Sequence, residues 1–454
     1  MLVTIKRVLQ ILTYVIIFEV VLGGAGRVVA FGPISIRMML FGITFLLLCI
    51  YYFYSDIDIK AVIRSNTFIK LILIFFAYIL FSATYGYVFQ HHSLSMIVGD
   101  ITAYITLFLV FLFNITVQDK DDVKVICSII VVATSIQAIM IVAIHYILAL
   151  NITYIEAINV WLQKLYIGSL ATIYNDAVRI FFKSSIFLQV GFILALVLIY
   201  KEKNKKNLYM EYIALIIIAY ATILTFTRGF WLGLVIGFII LAVSNKLRYF
   251  SKTIIILLLG LVLMFGLSFA TYRSTNLMIS VASRAGIAKL PSLTVNNVPT
   301  DTAGTSDDAE GQDVSAVYRS KMNIYLVEYI RKSPIIGNGL GTVIAELKQQ
   351  TSRNENMYFD IWLEMGIIGL GLYLSIMILV FKNWISARKK NITDPDLIYL
   401  DALVAGLAGI MVTTAINPYL NNPMGITYLL CVIASVSVFK NQSKFGKVID
   451  YQRR

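Results

Sequence analysis

The chain has 454 residues, of which 59% are hydrophobic and only 14% charged, with a mean hydropathy of +0.81. Soluble domains carry about 25% charged residues, so these values exclude a soluble enzyme and define a polytopic membrane protein. The net charge of +13 would raise nucleic acid as a partner in a soluble protein. Here the lysines fall in short links between apolar runs, so topology accounts for them and no nucleic acid is expected.

Twelve apolar runs can cross a bilayer: about 8–25, 34–53, 70–88, 97–116, 125–147, 181–200, 209–226, 229–246, 253–270, 361–381, 396–415 and 424–439. The expected fold class is all-α, with a large extracytoplasmic loop. The first run lacks a small-residue cleavage site and reads as an uncleaved helix. With an even number of spans both termini share one side. Lysine and arginine recur on that side, from Lys6 and Arg7 through Lys120, Lys124, Lys201–Lys206, Lys382 and Arg388 to the tail. It is therefore assigned to the cytoplasm. Three segments follow: residues 1–270 with nine spans, an outer loop over 271–360, and residues 361–454 with three spans and a tail. Within the loop, 271–290 are partly helical. Residues 291–316 are polar and acidic, and read as flexible. Residues 317–332 return to helical spacing, with Tyr318, Met322, Tyr325, Leu326 and Tyr329 on one side. SPIIGNGLG then makes a turn.

Arg228 lies between two nearly fused runs, EYIALIIIAYATILTFTRGFWLGLVIGFIILAVS. An arginine buried alone in lipid costs roughly 2.5–3.5 kcal/mol on insertion scales. It must sit at a tight turn near the far face or meet a polar cavity. Thr225 and Thr227 beside it offer hydroxyl donors or helix-end caps. Arg179, before the sixth run, and Arg319, on the loop helix, are further outer arginines; Arg27, Arg37, Arg273, Arg284, Arg331 and Arg353 are external too. A guanidinium presents a planar fork suited to phosphate oxygens. A second cluster, RNENMYFDIWLEMGIIGLG, precedes the tenth run. Asp360 and Glu364 are four apart and share a helix face. Glu364 is followed by apolar residues, so it is expected to be buried with an outer arginine as partner. Asp360 and Glu364 read as structural carboxylates, and Gly366, Gly369 and Gly371 as close helix packing. The cysteines, Cys49, Cys127 and Cys431, fit neither a disulfide framework nor a metal site. His91, His92 and His145 have no ligand cluster, so neither metal nor cofactor is expected.

Three segments resemble the O-antigen polymerase/O-antigen ligase superfamily of bacterial surface polysaccharide enzymes. They are TFTRGFWLGLVIG (225–237), RSKMNIYLVEYIRKSPIIGNGLG (319–341) and ENMYFDIWLEMGIIGLGLYL (355–374). The family's ligases carry a histidine in the third motif; Glu355 takes that position here, and Asn356 retains the next. The resemblance therefore implies the polymerase branch. It implies donor and acceptor repeat units on undecaprenyl pyrophosphate, a GT-C-like fold with inverting transfer at the outer leaflet of a bacterial cytoplasmic membrane, and a chain-length regulator as a further partner. Carried onto this sequence, Glu355, Arg228 and Arg319 become the catalytic candidates. Arg179, Arg228, Arg319, Asn356, Tyr358 and Tyr325 become the substrate-binding ones. A ligase acting on another acceptor and a flippase or transporter of lipid-linked saccharides are the alternatives.

Overall fold

The computed structural model describes residues 1–24, 26, 30–31, 34–55, 57–174, 177–245, 251–269, 314–347 and 354–452. The chain runs α1 (Leu2–Leu22), a minimal hairpin of β1 (Ala30–Phe31) and β2 (Ile34–Ser35), α2 (Ile36–Tyr54), α3 (Ile59–Ser65) and α4 (Thr67–Val88). It continues with α5 (Leu94–Ile105), which passes through a 3-10 turn into α6 (Val110–Thr116), then α7 (Lys120–Leu150) and α8 (Ile155–Lys164). A second hairpin, β3 (Gly168–Tyr174) and β4 (Ala177–Phe182), leads to α9 (Ile186–Lys201), α10 (Lys205–Leu224), α11 (Arg228–Asn245) and α12 (Ser251–Phe269). Then come α13 (Val314–Lys332), within the long connection, and α14 (Met357–Lys390), α15 (Leu397–Thr414) and α16 (Pro423–Gln452).

Among the described residues eight helical runs are long and apolar enough to cross a membrane: α2, α4, α5 with α6, α7, α10, α14, α15 and α16 as far as Lys440. Three shorter apolar helices lie within α9, α11 and α12. With α1 these account for all twelve runs read from the sequence, and the fold is an all-α polytopic membrane protein. The sixth run begins later than expected. Residues 177–182 form β4, paired antiparallel with β3 from Gly168↔Phe182 to Tyr174↔Ala177, so Arg179 lies on a strand rather than at a helix start. The segment over 271–313 lies outside the described residues. The loop helix begins at Val314, inside the stretch expected to be irregular.

The most enclosed span is α15, with 89% of its apolar window buried. Its tight neighbour is α11, and the contact is made by small residues at four-residue spacing. A Cβ on Gly229 would meet Thr413 at 3.4 Å, one on Gly233 would lie 2.6 Å from the Gly409 carbonyl, and one on Gly237 would lie 2.9 Å from that of Ala405. Two antiparallel helices thus approach backbone to backbone, which is how apolar helices gain dispersion contact where lipid offers no hydrophobic drive. Thr413 Oγ1 ties the seam to the Gly229 carbonyl at 2.9 Å.

Arg37, one of the arginines expected to be external, is committed to an ion pair. Its Nε lies 2.7 Å from Glu19 Oε2, its Nη2 donates to Glu19 Oε1 at 3.1 Å and to the Gly24 carbonyl at 3.0 Å, and both side chains are nearly buried. This closed pair joins α1 to α2. Losing one partner would strand a buried charge at a cost of about 3–5 kcal/mol.

Candidate active site

Three residues, Thr225–Phe226–Thr227, reverse the chain between α10 and α11. The reversal needs a left-handed residue, and Phe226 supplies it with φ 49°. A bulky side chain in that region is uncommon and is held by its surroundings; here Phe226 is 3% exposed. Both threonine hydroxyls serve the turn. Thr225 Oγ1 donates to the Thr222 carbonyl at 2.7 Å, and Thr227 Oγ1 donates to the Thr225 carbonyl at 3.1 Å. Arg228 opens α11 with an exposed side chain. A cation at a helix N-terminus adds to the positive end of the dipole instead of opposing it, so this spot favours an anion.

Arg179 reaches the same turn from β4. Its Nε donates to the Thr225 carbonyl at 3.0 Å and its Nη2 to Thr227 Oγ1 at 3.2 Å. The guanidinium lies 4.9 Å from the Phe181 ring centre. Phe181 stacks on Phe230, and Phe230 meets Tyr419 at 5.8 Å. Burial raises the Tyr419 phenol above its ordinary value, and the charge of Arg179 works against that shift.

The link from 415 to 422 spans two parts of this end. Tyr419 packs on α11, while Asn421 Nδ2 reaches Asp360 Oδ2 on α14 at 3.4 Å. Asp360 also accepts from the backbone and side chain of Asn354, at 3.2 and 2.7 Å. Asn356 caps α14, its side chain accepting from the Phe359 N–H at 3.4 Å. Tyr358 donates its hydroxyl to the Met411 carbonyl of α15 at 2.9 Å. Glu355 precedes these residues and is half-buried. Arg179, Arg228, Glu355, Asn356 and Tyr358 therefore gather at one end of the helical bundle. Arg319 belongs to α13, and its side chain lies outside the described residues. Its helix is fixed to α14 through a small core of Met322, Leu326, Ile330, Ile344 and Leu363, with Tyr325 packed on its edge.

Behind this layer α14 is broken. Gly366 has φ 64° and ψ −174°, a conformation closed to other residues. The carbonyls that the break frees are taken up by the SPIIGNGLG segment and by α4. The Leu363 carbonyl accepts from the Asn338 N–H at 2.8 Å, that of Glu364 from the Gly339 N–H at 2.9 Å, and that of Met365 from the Tyr78 hydroxyl at 3.0 Å. In return the Ile367 N–H donates to the Pro334 carbonyl at 3.0 Å. Irregular backbone is tolerated inside a membrane only where protein satisfies it in this way. The segment fits because Gly337, Gly339 and Gly341 all have positive φ, and because Gly339 presses on Gly86 of α4.

The expected glycine contacts of α14 are thus corrected. Gly366 is the break, Gly369 packs near Tyr78, and Gly371 has nothing within 4 Å of its Cβ position. The expected partner of Glu364 is corrected too. Among the described residues no arginine pairs with it. Its Oε1 accepts the Gly341 N–H at 3.2 Å, and Asp100 Oδ2 of α5 accepts the same N–H at 3.0 Å. Glu364, Asp100 and Asp360 are each 3–4% exposed. Asp100 was missed by the sequence reading, although a lone aspartate inside an apolar run is itself a signal. Ser82, whose hydroxyl donates to the Glu364 carbonyl at 3.0 Å, carried none. Among the described residues no group of three or more His, Cys, Asp or Glu is arranged to hold a metal.

These features define a class: an all-α, multi-pass membrane protein whose cationic turn, capped carboxylate helix and docked segment 314–347 meet at one end of the bundle. Residues 213–374 match the family model described as O-Antigen ligase. The match runs from α10 to α14 and contains all three motifs, so this part of the chain is similar to the O-antigen polymerase/ligase superfamily. No curated protein matches the chain.

Proposed function

We propose that this protein is a polysaccharide polymerase. It transfers a growing glycan from undecaprenyl pyrophosphate to a lipid-linked acceptor repeat unit at the outer face of the cytoplasmic membrane. The observation that carries this reading is the double-arginine turn: Arg179 is hydrogen-bonded to the residues directly before Arg228. Two guanidiniums and a helix N-terminus concentrate positive charge where a pyrophosphate leaving group develops negative charge. Arg319, carried by α13, supplies a third cation from the loop side. Glu355 orients or deprotonates the acceptor hydroxyl, and Asn356, Tyr358 and Tyr325 line the sugar path. The glutamate at the position where the family's ligases have histidine favours polymerase over ligase.

The purified protein with a synthetic lipid-pyrophosphate repeat unit is expected to make a ladder of longer lipid-linked products in detergent. Glycan moved to a different acceptor would instead establish a ligase, and transfer between leaflets without chain growth a transporter. Arg228→Lys keeps the charge and loses the fork. It should lower kcat/KM about 10- to 100-fold, the equivalent of one charged hydrogen bond, at parental abundance. Polymerisation at the parental rate would remove Arg228 from the site. Glu355→Gln should cost about 10²–10⁴ in kcat with substrate binding retained. Weaker binding with kcat unchanged would make Glu355 a partner of the loop arginine instead of a base.

A further inference from the structure

The lysine-bearing end of the bundle holds a cavity of about 440 Å³, lined by Lys124, Lys201 and Lys203 together with Glu202, Asp396 and Tyr399. It lies where helices end: α7 has just begun, α9 stops at Lys201, α10 starts at Lys205 and α15 starts at Leu397. Helix ends of membrane spans sit at headgroup depth, where tyrosines also collect. Tyr200 and Tyr399 both border the cavity.

The charges inside it are unevenly used. Asp396 is shared by two lysines, with Lys124 Nζ at 3.0 Å and Lys201 Nζ at 3.3 Å. Burial by itself would raise the Asp396 carboxyl, but these two ammonium groups hold it below its ordinary value. Lys201 Nζ is also 5.8 Å from the Tyr399 ring centre. Glu202 is occupied by its own link, accepting the Asn204 N–H at 2.7 Å and the Asn207 amide at 3.4 Å. Lys203 is exposed and, among the described residues, has no carboxylate at ion-pair distance. The lining therefore keeps one ammonium in excess over its two carboxylates, at the rim of a cavity within the size range of small-ligand sites. Lys205 and Lys206, on the first turn of α10, extend the positive field outward.

We propose that this cavity is a phosphate site for the headgroup of an anionic membrane phospholipid, with Lys203 as its free cation and the Lys124–Asp396–Lys201 group as its fixed wall. The site is independent of the glycan-transfer reading and lies at the opposite end of the spans. An anionic headgroup there ties α7, the α9–α10 link and the turn before α15 together. A lysine near an anionic lipid surface contributes about fivefold in affinity.

The full-length protein in detergent would be titrated with phosphatidylglycerol, phosphatidylcholine or inorganic phosphate, with bound lipid counted by native mass spectrometry. Phosphatidylglycerol should bind more tightly than phosphatidylcholine. Lys203→Gln, a change on an exposed link that leaves the ion-paired wall intact, should weaken phosphatidylglycerol about fivefold and leave phosphatidylcholine unchanged. Saturable protection by inorganic phosphate that Lys203→Gln abolishes, without preference between the lipids, would make a free anion the occupant and overturn the lipid assignment. Equal binding of both lipids, unaffected by Lys203→Gln and with no effect of phosphate, would overturn the site altogether.

Discussion

Two parts of this molecule are built from glycine, and they use it in opposite ways. Along the α11–α15 seam, Gly229, Gly233 and Gly237 keep helical geometry and serve only by lacking a side chain. At the α14 break, Gly337, Gly339, Gly341 and Gly366 all have positive φ, so they serve by their backbone as well. In the first case the helices would need only to move apart to admit a methyl group. In the second no movement suffices, because the dihedral itself is closed to L-residues. The seam sets how closely spans pack. The break sets where the chain leaves helical geometry inside the membrane, and so where the outer loop can enter.

The sharpest way to break this contrast is Gly366→Ala. Its Cβ would lie 2.1 Å from the Ile335 carbonyl, on a residue with φ 64°. Strain and overpacking together amount to roughly 2–5 kcal/mol. The variant should lose most of its monodisperse peak in detergent, and a parental elution profile would show that the break can relax. Gly233→Ala comes next. Its methyl would clash with the Gln189 side-chain amide and lie 2.6 Å from the Gly409 carbonyl, but with helical dihedrals. It should fold with a lower Tm, a loss of about 1–3 kcal/mol; loss of folding as complete as that of Gly366→Ala would erase the distinction. Gly371→Ala is the smallest change. Its Cβ faces open space on a helix, so it should leave Tm unchanged or raise stability by about 0.5–1 kcal/mol. A drop in Tm would mean that Gly371 is part of the break.

The spans were legible because a run of eighteen or more apolar residues has few other readings, and all twelve runs correspond to helices. Lys120, Lys124 and Lys201, from separate links in the sequence, meet at the 391–396 turn through Asp394 and Asp396. The placement of the arginine turn was legible too, because two long apolar runs joined at Thr225–Arg228 leave room only for a tight reversal. The break was not. Gly366, Gly369 and Gly371 look alike in sequence, and what separates them is the presence of Pro334–Gly341 against one of them alone. The partner of Glu364 was misread for a related reason. Charge complementarity pointed to an arginine, whereas the carboxylate meets a backbone N–H and a second carboxylate supplied by α5. AVRIFF continues into the sixth apolar run, so hydropathy alone puts Arg179 at a span mouth and not on a strand. The pairing of β4 with β3 depends on a partner strand that hydropathy does not reveal.

The order in which the broken helix is made has a consequence for how this protein enters its membrane. The segment 333–341 emerges before α14, and Tyr78 and Ser82 were synthesised far earlier. Until they meet, the stub from Met357 to Met365 has three carbonyls without partners, which lipid cannot satisfy. The stub is therefore not an independent inserting unit. Its polar backbone depends on residues 334–341 for two of these partners and on Tyr78 of α4 for the third. The break therefore makes membrane integration of α14 a property of three chain segments together and not of its own hydropathy.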